Sequence, residues 1–122
     1  MKEKLQVLNA EMTDSKLILK VEESYPVNEL SAKGQILVDS DAFAFIYLAE
    51  KGDQYVYIVL DKNIWPSLKQ GLEAGVPIFL SNGLDNLELA DWKEEMEYLI
   101  DNIEGNGNYG EEMERSVTAV FS

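Results

Sequence analysis

The chain has 122 residues, with 23 acidic against 10 basic side chains, a net charge of −13 and a pI near 4.2. That length predicts one domain, residues 1–122, large enough for a true core, and that charge repels nucleic-acid phosphates and anionic membranes. Cysteine and histidine are both absent, which excludes disulfides, thiolate nucleophiles and zinc–sulfur sites and removes the usual general base and the commonest metal ligand.

Met1-Lys2-Glu3-Lys4 opens onto alternating residues instead of an apolar run. Neither a signal peptide nor a membrane span is expected, and the cytoplasm is the expected setting. Leu5, Val7 and Asn9, then Leu17, Leu19 and Val21, alternate with other residues on either side of Thr13-Asp14-Ser15. This predicts a hairpin with one wet face carrying Lys16, Lys20 and Glu22. Ser24 to Lys33 is polar, contains Pro26 and reads as a loop, and a third strand is predicted over Gln35 to Val38.

Asp39 to Leu60 is the most apolar stretch and reads as two long strands turned at Glu50-Lys51-Gly52-Asp53. Side chains alternate along a strand. Phe43, Phe45 and Tyr47 therefore share one face of the first strand, and Ala44, Ile46 and Leu48 the other. On the second strand Tyr55, Tyr57 and Val59 alternate with Val56, Ile58 and Leu60. Both faces are apolar, which predicts that both are covered. One is expected to be aliphatic and to receive helices. The other is expected to be aromatic, with Phe45, Tyr47, Tyr55 and Tyr57 either in the core or on a ligand or dimer surface.

Beyond Leu60 the period changes. Ile64, Leu68 and Leu72 recur every four residues, Pro66 fits a first helical turn and Gly75 a left-handed stop. Val76 to Leu80 predicts a short strand, Ser81-Asn82-Gly83 a turn, and Leu87 and Leu89 the return strand. Asp91 stands where an N-cap would, with Glu94 three residues on. Trp92, Met96, Leu99, Ile100 and Ile103 then follow at helical spacing, and Met113, Val117, Val120 and Phe121 repeat the stripe after a glycine-rich break at 105–110. The expected fold is α+β: a mainly antiparallel sheet of about six to seven strands with three helices, two of them C-terminal. A partly closed barrel capped by helices is the alternative.

Three segments, LVDSDAFAFIYL (37–48), IWPSLKQGLE (64–73) and GNGNYGEEM (105–113), resemble the YjbL-like family of small bacterial proteins. The resemblance runs along nearly the whole chain with the segments in the same order. It implies a stand-alone bacterial domain in the cytoplasm. The family brings no assigned activity and no site residues.

Tests for chemistry leave little. Asp39 and Asp41, with Asp53 near them if the hairpin pairs suitably, are weak candidates for calcium or magnesium, which favour oxygen ligands. The 104–115 segment fails the EF-hand pattern, with glycine at 110 instead of 109 and Arg115 where the bidentate Glu belongs. Ser67 and Lys69 are two apart on a helix and do not share a face. No phosphate-binding glycine loop follows a strand. No catalytic residue and no cofactor is assigned, and an enzyme is not expected. Charge carries more. Residues 85–122 hold eleven acids against two bases, and Glu94, Glu95, Glu97, Asp101 and Glu104 lie off the apolar stripe of one helix. The expected function is a non-catalytic regulator that docks on a basic protein through Glu94, Glu95, Glu97, Asp101, Glu104 and a projecting Tyr109. The alternative is a small-molecule or metal-binding module on the aromatic hairpin face. A monomer is favoured. A homodimer is expected only if the N-terminal strands extend the sheet edgewise and leave a face open.

Overall fold

The alternating stretch at the N-terminus makes two strands in the computed structural model, which describes residues 2–121; Met1 and Ser122, the ends of the expected 1–122 domain, lie outside them. β1 (Lys2–Gln6) and β2 (Asn9–Met12) belong to different sheets. The switch falls at Val7 and Leu8: the Val7 amide donates to Val59 O in one sheet, and the Leu8 amide donates to Lys20 O in the other, at 2.8 Å. The alternation changes phase at this break: Leu5 and Val7 are buried, Leu8 and Asn9 are both exposed, and Ala10 and Met12 turn inward on β2.

β2 pairs antiparallel with β3 (Leu17–Lys20), as the local hairpin pattern requires. Glu11 and Lys20 form an ion pair on its wet face at 3.4 Å. The polar segment that follows holds one short 3-10 turn, Val27–Glu29, and then a nine-residue strand, β4 (Ser31–Asp39). That strand starts four residues before the predicted one. A bulge between Ala32 and Ile36, with Gly34 at φ 69°, interrupts its pattern and hides its first half.

β5 (Ala44–Lys51) and β6 (Gln54–Asp61) form the central hairpin. Lys51 faces Gln54, so Gly52 and Asp53 make a two-residue turn, and Gly52 adopts φ 61°, which a side chain disfavours. α1 (Trp65–Ala74) follows, ending on Gly75 at φ 67°. β7 (Ile78–Ser81) and β8 (Asn86–Glu88) make the next hairpin, and Asn82 Oδ1 accepts from the amides of Leu84 and Asp85 in its turn. α2 (Trp92–Ile103) and α3 (Glu111–Phe121) close the chain.

The architecture is α+β: the described residues form three helices and eight strands in two four-stranded sheets, ordered β1-β6-β5-β4 and β2-β3-β7-β8. The expected single sheet is corrected to two: four of the six described pairings are antiparallel, as expected, but each sheet also contains one parallel pair, β1 with β6 and β3 with β7. The described residues form no closed barrel. Hairpin pairing is written locally, in turn residues. Parallel pairing joins strands separated by roughly fifty to sixty residues, and nothing local encodes it.

The core lies between the two sheets and under the helices. Leu17, Leu19, Ile58, Leu68, Ile78, Leu80, Met96 and Val117 are all fully buried in one contiguous cluster. Phe45, Trp65 and Phe121 make a ring cluster with centroids 5.3 to 6.2 Å apart, tying α1 and α3 to the inner face of β5. Trp65 Nε1 donates to Leu60 O at 3.0 Å, so burying that indole leaves no donor unpaired.

Candidate functional site

α2 buries Trp92, Met96 and Ile103 and turns its acids outward. Glu94, Glu97, Asp101 and Glu104 are exposed, and Glu95 is half-buried. Only Lys93 offsets them on this helix, with its Nζ 3.4 Å from Glu97 Oε2. α2 also forms one wall of a groove of about 440 Å³ between the three helices. Leu72, Ile100 and Phe121 supply its apolar surface. Lys69 and Glu73 from α1 and Glu97 and Asp101 from α2 supply its charge. Residues more than twenty positions apart meet here, which is why no sequence window displays the groove.

Tyr98 was missed by the sequence reading. It is 66% exposed and stands three and four residues from Glu95, Glu94 and Asp101, hence on the acidic side of the helix. The available signal was its position off the apolar stripe. Tyr109, expected to project, instead sits in a 3-10 turn (Gly107–Tyr109) half-buried against the core. This loop is tied to α3 by the Gly105 amide, which donates to Glu114 Oε2 at 2.6 Å. It forms the corner between α2 and α3.

The hairpin aromatics do not share a face. Tyr47 lies opposite Ile58 and Phe45 opposite Leu60, whereas Tyr57 pairs with Leu48 and Tyr55 with Glu50. Directly opposed residues point to the same side. Phe45 and Tyr47 are therefore fully buried in the core, while Tyr55 and Tyr57 are on the outer face with Ile46, Leu48 and Val59. The expected aromatic surface is corrected to an aromatic–aliphatic mixture on both sides. Tyr47 is a structural node: its hydroxyl donates to Ala90 O at 2.6 Å and accepts from the Gly34 amide at 3.2 Å. Burial pushes its pKa up to about 12, because the phenolate would be desolvated.

The three candidate metal ligands are not brought together. Asp39 and Asp41 flank the β4–β5 turn, where Asp39 Oδ1 accepts from the Ala42 amide. Asp53 sits at the far end of β5 in the other turn. Among the described residues no group of three carboxylates could hold a metal ion. A separate polar cluster lies at the β1 edge. Lys51 Nζ and Gln54 Nε2 donate to Glu3 Oε1 at 3.0 and 3.3 Å. The adjacent, enclosed Tyr25 hydroxyl makes no hydrogen bond of full geometry, yet with Lys51 it holds the Glu3 carboxyl below its usual range. Its own burial, and then the nearby Glu3 carboxylate, raise the Tyr25 pKa.

Residues 5–121 match the model of a family described as a family of unknown function, UPF0738. The chain belongs to the UPF0738 family. It is 42% identical over 121 residues to the UPF0738 protein YjbL of Bacillus subtilis strain 168, a match covering 99% of each chain. A UPF0738 protein of Bacillus velezensis is 41% identical over 121 residues, again 99% of each. One from Geobacillus sp. strain WCH70 is 41% identical over 122 residues, covering 99% of this chain and 98% of its own. No solved structure matches the chain. The resemblance carried by the three segments is thus shown across the UPF0738 length. Among its described residues no helix is long and apolar enough to cross a membrane.

Proposed function

We propose that this UPF0738 chain works as one cytoplasmic domain and as a non-catalytic interaction protein, docking a basic partner on the groove between α1, α2 and α3. The observation that carries this reading is the groove's composition: Glu73, Glu97 and Asp101 stand around the apolar side chains of Leu72, Ile100 and Phe121. An apolar anchor flanked by Lys or Arg complements such a site, with the charges steering the encounter and the anchor supplying affinity. Tyr98, exposed beside the acids, extends the surface with a residue type common at interface hot spots. The aromatic-face ligand site loses its support because two of its four residues are sealed in the core.

The test is capture of basic proteins by the immobilised chain over a salt series. Binding should be strong at low salt and fall steeply as salt rises. Reversing Glu73, Glu97 and Asp101 to Lys should abolish it, and Tyr98→Ala should weaken it. Capture that survives the triple reversal would overturn the reading.

A further inference from the structure

The outer face of the first sheet is apolar and lies outside the main core. Ile46 and Leu48 are buried there at 5% and 8% exposure, yet neither belongs to the core cluster, and Leu37, Tyr57 and Val59 beside them are half-exposed. The helices and the second sheet pack on the opposite side, against Phe45 and Tyr47. β1 extends this sheet edgewise by pairing with β6 and does not fold over it. A groove of about 320 Å³ crosses the face, from Lys4 on the β1 edge, over Leu37, Ile46 and Tyr57, to Asp39 and Asp41 at the β4–β5 turn.

We propose that this face binds a second copy of the chain, forming a two-fold symmetric dimer. The charges select the occupant. A basic partner would seek acids, but the middle of this face has none, and its two ends carry opposite signs. A two-fold axis in the interface, perpendicular to the groove, exchanges those ends and sets Lys4 of each copy against Asp39 and Asp41 of the other. Neither Lys4 nor Asp41 has an ion-pair partner within the described residues of its own chain. The net charge of −13 does not forbid the contact. The acidic helices lie behind the sheet, so the acids of two copies are separated by more than two layers of about 10 Å. That distance exceeds the screening length of about 8 Å at physiological salt. Strands about 4.8 Å apart rising about 3.3 Å per residue make a face of roughly 20 by 25 Å. This is about 500 Å² in projection, below the standard of about 800 Å² per partner, so the dimer is weak and concentration-dependent.

Sedimentation equilibrium over a wide concentration range tests this. The weight-average mass should climb from 13.8 kDa towards twice that value. Val59→Lys, at the centre of the face, should hold it at the monomer. Lys4 and Asp41 are exposed, and Lys4→Glu and Asp41→Lys should each weaken the dimer about fivefold to tenfold. The double exchange should recover part of the loss, because the Lys4–Asp41 pair is re-formed with its signs swapped while Asp39 is unchanged. A mass constant at 13.8 kDa throughout overturns the proposal. So does a dimer indifferent to all three substitutions, since its interface would then lie elsewhere.

Discussion

Tyr47 is the residue on which most depends. Its ring fills the inner face of β5, and its hydroxyl joins the Gly34 amide in β4 to the Ala90 carbonyl before α2. Tyr47→Phe keeps the ring and leaves both backbone groups without this partner. The expected cost is about 1–3 kcal/mol, read as a lower urea midpoint at unchanged slope. The raised pKa adds a pH signature. The native state holds the Tyr47 proton more tightly than the unfolded chain does, up to about 12 against an ordinary 10.0. Its contribution is therefore fully present below pH 10 and is lost as pH rises through about 12. Urea titrations across that range should show the wild type losing stability more steeply than Tyr47→Phe. Parallel pH curves would remove Tyr47 as the source. Trp92 makes a useful contrast: its buried indole N–H meets no acceptor among the described residues.

Between elements, the junction of β4 with α2 is where local sequence logic and tertiary structure part. Asp91 and Glu94 read as a helix cap. Asp91 does occupy the N-cap position, but at φ 63° and without a side-chain capping bond. A Cβ on Gly34, in the β4 bulge, would come within 2.8 Å of Asp91 Oδ2, and Gly34 itself sits at φ 69°. Gly34→Ala is expected to cost about 1–2 kcal/mol from its backbone alone, with the clash in addition. Asp91→Gly should be neutral or stabilising by itself and should recover the clash part in the double variant. A double-mutant cycle by urea unfolding measures that coupling, and a purely additive result would show that the two residues do not press on each other. The three helices were legible because their stripes and stops are local: Leu68, Met96, Met113 and Val117 are buried as their spacing required. The two later hairpins were legible for the same reason; of the expected first strand of the N-terminal hairpin only Asn9 pairs with β3, because Leu5 and Val7 belong to the other sheet. The face that Tyr55 and Tyr57 occupy was not, because it depends on which residue of β5 stands opposite, and a shift of one position exchanges the faces. The β1–β6 and β3–β7 pairings were invisible, since they join distant segments without a turn to announce them.

At the scale of the molecule, the acids of the C-terminal helices were legible and the groove they border was not, because Lys69, Leu72 and Glu73 reach it only through the fold. The same acids bear on stability. α2 carries Asp101 in its last turn and Glu104 at its C-cap, where the helix dipole disfavours negative charge, and no basic residue stands in that last turn. Glu97 and Asp101 repel each other at i,i+4 spacing. Asp101→Lys turns both effects around and offers a cation to Glu97 and Glu104. It is expected to stabilise by about 0.5–1 kcal/mol at low ionic strength. Salt should raise the wild-type melting temperature, because screening relieves the repulsion, and should shrink the advantage of the variant. Thermal melts of both proteins at low and high salt check this, and a variant less stable than wild type at low salt would show that the acidic face costs nothing. Asp101 also lines the proposed docking groove. The variant that gains stability should therefore lose partner capture, as expected where a binding surface is kept at the expense of helix stability. Stability gained with binding intact would make the charge a matter of solubility alone.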